Sequence, residues 1–360
     1  MGVDRRKFLR MSGIAVAGTQ FVACAGTKKI PTEGVPRSSY DEDSTAEEVT
    51  ASVDLTGKLA VVTGCTSGIG FETMRVLAKR GAYVVGTSRS LEKASAACKR
   101  VNGTTTPLQL ELSDFESVVN CANEIRSINS PVDILVCNAG YLGAGGKPEL
   151  INGLEKHFVI NHLGHFVFVN RLLGRMYLAY QGRVVVVASR ASYRSAPESG
   201  IEFDNLDASR DYGDRRAYGQ SKLANVLFAL ELGRLLRGTR ITINSLHPGV
   251  INTNIDRNMN QFMQRGFAVV AALGYGKSIE QGAATSCHVA TNPQLGSTSG
   301  KYFEDCNAVT IVGEGHLHDQ VMATRLWQRS EEITRDYLVS HYGPDYNDFE
   351  KAIHERNKSD

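Results

Sequence analysis

From Lys58 onward the chain repeats one pattern: a short continuous run of apolar, largely β-branched residues, followed by a longer stretch with helical spacing. The runs read "KLAVVT", "AYVVGT", "TTPLQL", "VDILVC", "GRVVVVA" and "RITINSL", with "GKYF" as a seventh. Runs that are apolar throughout, rather than at alternate positions, suit strands buried on both sides. Strands alternating with helices are the order that builds a parallel sheet between two helical layers. The expectation is an α/β chain in which one domain, from about Val53 to Tyr342, holds a doubly wound seven-stranded parallel sheet with helices on both faces. Helices are expected from Ile69 to Arg80, stopped by Gly81 in a position that tolerates a left-handed cap, and from about Ser113 to Ser127, with Ser113 or Asp114 as the N-cap.

The turn after the first strand, "VVTGCTSGIG", places Gly64, Gly68 and Gly70 between a buried strand and a helix. Glycines there allow a tight bend and close approach to a pyrophosphate, and the free amides at the helix start meet its negative charge. A single-domain Rossmann fold with a dinucleotide on Gly64, Thr66, Ser67, Gly68, Ile69 and Gly70 is expected. At the end of the second strand, "VVGTSRS" offers no carboxylate for a ribose diol but does offer Ser88 and Arg89. An arginine there can fork onto a 2′-phosphate and stack on adenine, which favours NADP(H) over NAD(H). The competing reading is a solvated surface arginine.

Of thirteen tyrosines only Tyr218 has a lysine four residues later, Lys222, and Asn225 continues the same helical face. A phenol of pKa about 10 carries protons poorly at neutral pH. A neighbouring ammonium, together with an oxidised nicotinamide, favours the phenolate and brings it toward the working range. Tyr218 would then take a proton from an alcohol or give one to a carbonyl, and Lys222 would also hold the nicotinamide ribose. Ser189, which closes the fifth strand, can support charge on the substrate oxygen, with Ser192 as the fallback. Asn161, in "VINHLGHF", lies inside a helix where asparagine is a mediocre former.

The stretches "TGCTSGIG", "CNAG", "NHLGHF", "AYGQSKLANVLFALEL", "HPGVINT" and "TRLW" together resemble the short-chain dehydrogenase/reductases from about Leu55 to Leu338. Within that family the likeness is to the retinol-dehydrogenase-like and WW-domain-oxidoreductase-like group. The resemblance implies that Asn161, Ser189, Tyr218 and Lys222 form a catalytic tetrad, with Asn161 holding a water that relays protons to the lysine. It implies that Asn138, Ala139 and Gly140 steady the sheet beside the adenine ribose, and that Glu111 and Leu112 lie near the adenine. It further implies that Pro248, Gly249 and Val250 shape the loop beneath the nicotinamide, where Thr253 bonds its carboxamide or phosphate. Cys137, Ala188 and Glu111 depart from the family's usual asparagine, serine and aspartate. Family members often pair through their long central helices, so a homodimer or homotetramer is implied.

The formal net charge of +2, with both signs interspersed, leaves no basic stripe for nucleic acid. Seven scattered cysteines form no CxxC pair, and no histidine cluster has metal-ligand spacing, so no metal is expected. At the N-terminus Arg5 and Arg6 precede Phe8, Leu9 and a short Gly/Ala-rich apolar run, which fits a signal peptide over residues 1–26. "RRKFL" resembles the twin-arginine signal, which implies the twin-arginine export machinery as partner and the periplasm or cell envelope as destination. "ACAG" permits cleavage after Ala25, and "FVAC" alternatively offers Cys24 for lipidation; a cytoplasmic protein with a basic N-terminus is the competing reading. Residues 27–52 read as a flexible polar linker and 343–360 as a polar tail.

Between Asn254 and Gly276, where the family places its variable substrate lid, Phe262, Met263, Phe267, Val269, Val270, Leu273 and Tyr275 would line an apolar pocket. Packing on the core or against another subunit is the alternative reading. The activity expected is interconversion of a small lipophilic alcohol and its carbonyl. A nucleotide-sugar epimerase or lyase, and a non-catalytic dinucleotide-binding protein, are the alternatives.

Overall fold

The computed structural model describes residues 28–143, 145–251, 276–313 and 315–338. Seven strands run parallel: β2 (Leu59–Thr63), β3 (Tyr83–Ser88), β4 (Thr105–Gln109), β5 (Ile134–Cys137), β8 (Gly182–Val187), β9 (Ile241–His247) and β10 (Tyr302–Glu304). Their order across the sheet is β4-β3-β2-β5-β8-β9-β10. Two antiparallel strands extend it beyond β10: β11 (Asn307–Val312), and then β1 (Lys28–Pro31), which pairs Lys28 with Val312. A separate small hairpin joins β6 (Leu150–Ile151) to β7 (Leu154–Glu155).

The continuous apolar runs divide residue by residue between two layers. Leu59, Val61, Leu135, Val184 and Val186 enter one core, with Phe166, Phe168, Leu227 and Leu326. Ala60, Val62, Val136, Val185 and Val187 enter the other, with Met74, Leu77, Ala97 and Val289. Side chains alternate across a strand, so a strand covered on both sides must be apolar at every position. Pro107 sits in β4, at the edge of the sheet, where a missing N–H costs no ladder bond.

The helices are α1 (Ala46–Val49), α2 (Gly68–Lys79), α3 (Leu91–Cys98), α4 (Phe115–Ser127), α5 (Gly164–Tyr177), α6 (Ala191–Arg194), α7 (Asp214–Leu235), α8 (Ile279–Thr291) and α9 (Gln320–Leu338). Gly81 follows α2 at φ 95°. Asp114, rather than Ser113, caps α4 by accepting the Glu116 N–H at 3.1 Å. A helical turn at Lys156–Phe158 and a π-helical stretch at Val159–Leu163 lead into α5. Helices α5, α7 and α9 are locked by aromatic contact: Trp327 stacks on Phe228 at 6.0 Å and meets the Phe166 edge at 4.9 Å.

The polar stretch expected to be a free linker is part of the fold from Lys28 on. Beyond the β1 pairing, Lys29 donates to the buried carboxylate of Glu304, which Arg190 also grips at 2.8 Å and Tyr193 at 3.0 Å. Ala46 and Val49 bury against Val76, Ala283 and Cys287. Glu47 bridges Arg75 and Lys79. Its charged composition reads as tether, yet Lys29 and Glu47 meet partners that only the folded domain presents. Residues 1–27, where the export signal is expected, with Cys24, and the tail after Leu338 lie outside the described residues. The described cysteines are free and buried.

His162, His165, His247 and His288 are buried, and desolvation holds them at about 3, 4, 3 and 4 respectively. The unfolded chain binds protons on these rings below about 6.5 while the folded chain does not. Stability is therefore fully present above that value and declines as pH falls toward 4. Denaturant titrations between pH 7 and 5 should show a midpoint that drops with acid, and His162→Phe should flatten the slope.

Candidate active site

The strand order reverses between β2 and β5: the chain proceeds from β2 outward through β3 and β4, then returns to β5 on the other side. Loops at the carboxyl ends of these two strands leave in opposite directions and open a crevice, the usual ligand site of such sheets. The glycine turn occupies one wall and residues 138–140 the other.

Packing demands glycine on that first wall. A Cβ at position 70 would lie 2.3 Å from both Asn138 Nδ2 and the Gly64 carbonyl oxygen, and one at 64 would lie 3.0 Å from Ala139 Cα. Gly64 and Gly68 also have φ of 71° and 58°, values that side chains disfavour. Across the gap Asn138 Nδ2 donates to the Thr63 carbonyl at 2.9 Å. The Asn138 and Ala139 backbone N–H groups both donate to Thr63 Oγ1 at 2.9 Å. Thr66, Ser67, Gly68 and Ile69 remain half-exposed along the rim.

Helix α2 begins here without local satisfaction. Its N-cap, Ser67, makes no side-chain capping bond, and its first turn carries no acidic residue. The orphan N–H groups and positive helix end are thus directed at a ligand position, and a diphosphate fits these donors. Ser88 is half-buried and Arg89 exposed at the end of β3, on the same edge of the sheet. Glu111 is turned to local use, its Oε1 accepting from the Ser113 N–H at 3.0 Å and the Ser113 hydroxyl at 2.6 Å. Leu112 is buried, its carbonyl and Cβ closely covered by Gly164.

The second cluster forms where α7 crosses the end of β8. Lys222 is 2% exposed, and its ammonium donates to the Val187 carbonyl at 2.9 Å. Desolvation lowers its pKa to about 8. The ammonium lies 5.7 Å from the Tyr218 ring centroid, as expected for residues one helical turn apart. Ser189 lies two residues past the end of β8; it is half-exposed, and its Oγ accepts the Ala191 N–H at 3.2 Å. Ser192 is fully buried and donates its hydroxyl to the Ser189 carbonyl at 2.6 Å. Of the two serines, Ser189 is the one open to a ligand.

Asn161 lies in the π-helical stretch, fully buried. Its side chain clamps the neighbouring loop: Oδ1 accepts the Tyr141 N–H at 2.7 Å, and Nδ2 donates to the Tyr141 carbonyl at 3.0 Å and to Ser221 Oγ at 2.9 Å. Ser221 in turn donates to the Tyr218 carbonyl at 2.8 Å. The asparagine side chain thus ties the loop after β5 to the helix bearing Tyr218 and Lys222.

After β9, Pro248 is buried and Val250 exposed. Gly249 has φ 107°, and a Cβ there would lie 2.5 Å from Lys277 Cδ. Thr253 and the expected lid lie outside the described residues.

Sequence patterns missed the partners that assemble these groups. Tyr141 carries no motif, and Ser221, inside "AYGQSKLANVLFALEL", carries no separate signal of its own. His157 packs its ring 6.2 Å from Tyr218, held by Glu155 Oε1 at 2.7 Å and by the Gly143 N–H at 2.9 Å. Its only signal is its place in a helical turn before "NHLGHF".

The family model described as short chain dehydrogenase matches residues 58–201. The chain is 40% identical over 311 residues to a protein named Short-chain dehydrogenase TIC 32 A, chloroplastic, from Brassica napus, covering 82% of this chain and 95% of that one. It is 36% identical to mouse Retinol dehydrogenase 12, with 79% and 88% covered. With human WW domain-containing oxidoreductase it shares 34%, over 87% and 77%. Among solved structures, an uncharacterised protein from Mycobacterium paratuberculosis superposes with a TM-score of 0.62 at 30% identity, covering 81% of this chain and 98% of that one.

Gly70→Ala should therefore wedge the two walls of the crevice apart. The expected loss is about 1–3 kcal/mol of stability, together with a marked loss of nicotinamide-dinucleotide binding, measurable by thermal denaturation with and without NADH or NADPH. Retained binding with an unchanged melting point would contradict this role for Gly70.

Proposed function

The chain belongs to the short-chain dehydrogenase/reductase family of NAD(P)-dependent oxidoreductases, and on that premise we propose that it interconverts a lipophilic alcohol and its carbonyl, with NADP(H) favoured over NAD(H). The supporting observation is the buried Lys222 ammonium, held by the Val187 carbonyl, one helical turn from Tyr218 and beside the strand end that presents Ser189.

A nicotinamide dinucleotide, when bound, supplies or accepts the hydride. Its diphosphate would rest on the uncapped start of α2, and its nicotinamide ribose within reach of Lys222, whose three N–H donors exceed the single Val187 bond. Tyr218 moves the proton: in reduction it donates to the forming alkoxide, in oxidation it accepts from the alcohol. The neighbouring cation favours the phenolate in both directions. Ser189 holds the substrate oxygen and supports its developing negative charge. Asn161 orders the arrangement through Tyr141 and Ser221.

The coenzyme preference rests on Arg89, exposed at the end of β3 with no carboxylate in "VVGTSRS" to repel a 2′-phosphate. The lipophilic class rests on the apolar composition of residues 254–276 and on the relatives named retinol dehydrogenase.

Tyr218→Phe should lower kcat on a panel of lipophilic aldehydes and ketones by about 10²–10⁴-fold, followed at the NADPH absorbance, while NADPH affinity stays within a few-fold. Equal loss of both would remove the proton-carrier assignment. Arg89→Ala should weaken NADPH about 10- to 100-fold, the worth of a charge-assisted contact, and leave NADH nearly unaffected. Equal effects on the two coenzymes would exclude a 2′-phosphate contact.

A further inference from the structure

His165 lies four residues after Asn161, near the start of α5, and is 1% exposed. Its two ring nitrogens face different elements. Nδ1 is 3.2 Å from the Asn161 carbonyl oxygen, and Nε2 is 3.0 Å from Thr63 Oγ1. A carbonyl only accepts, so Nδ1 must carry a hydrogen. Thr63 Oγ1 already accepts the Asn138 and Ala139 N–H groups at 2.9 Å. Its own hydrogen is therefore free to be donated, and the bare Nε2 is a closer acceptor than the Val136 carbonyl at 3.4 Å. Every donor and acceptor is matched only by the neutral Nδ1–H tautomer. Burial, with the Lys222 charge as a smaller contributor, holds the ring pKa at about 4, so this form persists at neutral pH.

One imidazole thus joins three segments that sequence separates: the π-helical stretch, the last residue of β2 and, through Thr63, the loop at 138–139. The carbonyl it grips belongs to a stretch where the backbone ladder shifts register, a place where carbonyl positions are not set by regular helix geometry alone. The geometry points to His165 as a positioning residue. Its Nδ1–H fixes the Asn161 carbonyl at the proton-handling end of the site, and its Nε2 fixes Thr63 at the dinucleotide end, setting the distance between them. This role rests on the oxidoreductase reading above for its catalytic consequence, although the hydrogen-bond assignment stands apart from it.

The two bonds can be separated by isosteres. His165→Asn places an amide N–H near the Nδ1 position and keeps the Asn161 contact while losing Thr63. His165→Gln reaches the Nε2 position and does the reverse. Expected for His165→Asn is NADPH affinity weakened about three- to tenfold, the worth of one neutral hydrogen bond, a larger change than the one in kcat. Expected for His165→Gln is kcat lowered by a similar factor with NADPH affinity retained. A histidine-selective ¹⁵N spectrum of the full chain should show the Nδ1–H tautomer at this residue between pH 6 and 8. Finding the Nε2–H tautomer overturns the assignment, and so does a pair of variants that lose kcat and NADPH affinity in equal proportion. Should the unaltered protein reduce no carbonyl in the panel, the catalytic reading fails on its own, and the tautomer and NADPH measurements still decide the place of His165.

Discussion

The backbone of the β2–α2 turn meets the loop after β5 so closely that only the Asn138 side chain fits at the contact, and the rest of the site is arranged around it. It requires hydrogen at Gly64 and Gly70 where any other residue carries carbon, and it is sealed by Asn138 and by the doubly accepting hydroxyl of Thr63. Strand order makes the contact unavoidable. Where neighbouring parallel strands send their connections to opposite sides, their ends face one another across a gap that helices do not fill. The uncapped start of α2 then gives the gap its polarity.

Charge is treated differently in two parts of the molecule. Around Glu304, burial of the carboxylate is compensated by Lys29, Arg190 and Tyr193, and its pKa is held down near 2, chiefly by Arg190, against the desolvation that alone would raise it. The cluster joins the first described strand to the helix following Ser189. At Lys222 the ammonium is buried with only a carbonyl and no carboxylate partner among the described residues, so desolvation pulls its pKa down to about 8. Pairing of the first kind serves architecture. An unneutralised buried cation beside a phenol is costly, and such perturbation concentrates where chemistry is done.

Legibility followed the range of the interactions involved. The seven parallel strands, the glycine turn and the Tyr218–Lys222 pair are written in residues adjacent or one turn apart, and each lies where the local pattern indicated. The stretch from Lys28 to Ser52 did not read correctly, because its polar composition carries no trace of the edge of β11 or of Glu304, more than two hundred residues away. Asn161 was expected to hold a water in the site, but its side chain is occupied with Tyr141 and Ser221. Glu111 was expected near the adenine, and its carboxylate caps its own turn at Ser113. The histidines of "NHLGHF" could be weighed only against metal spacing; that His165 spans from Asn161 to Thr63 depends on a helix lying across a strand end.

Periodicity and composition were sufficient for the class of fold, because a strand buried on both faces has no alternative to being apolar throughout, and a tight phosphate-facing bend has few alternatives to glycine. These are constraints on single residues and their near neighbours. Which serine is open, which tautomer a buried ring adopts and whether a charged segment is tether or strand depend on groups brought together from distant parts of the chain. Hydrogen bonds and desolvation act over a few ångströms in space, and only the folded backbone decides which residues come that close.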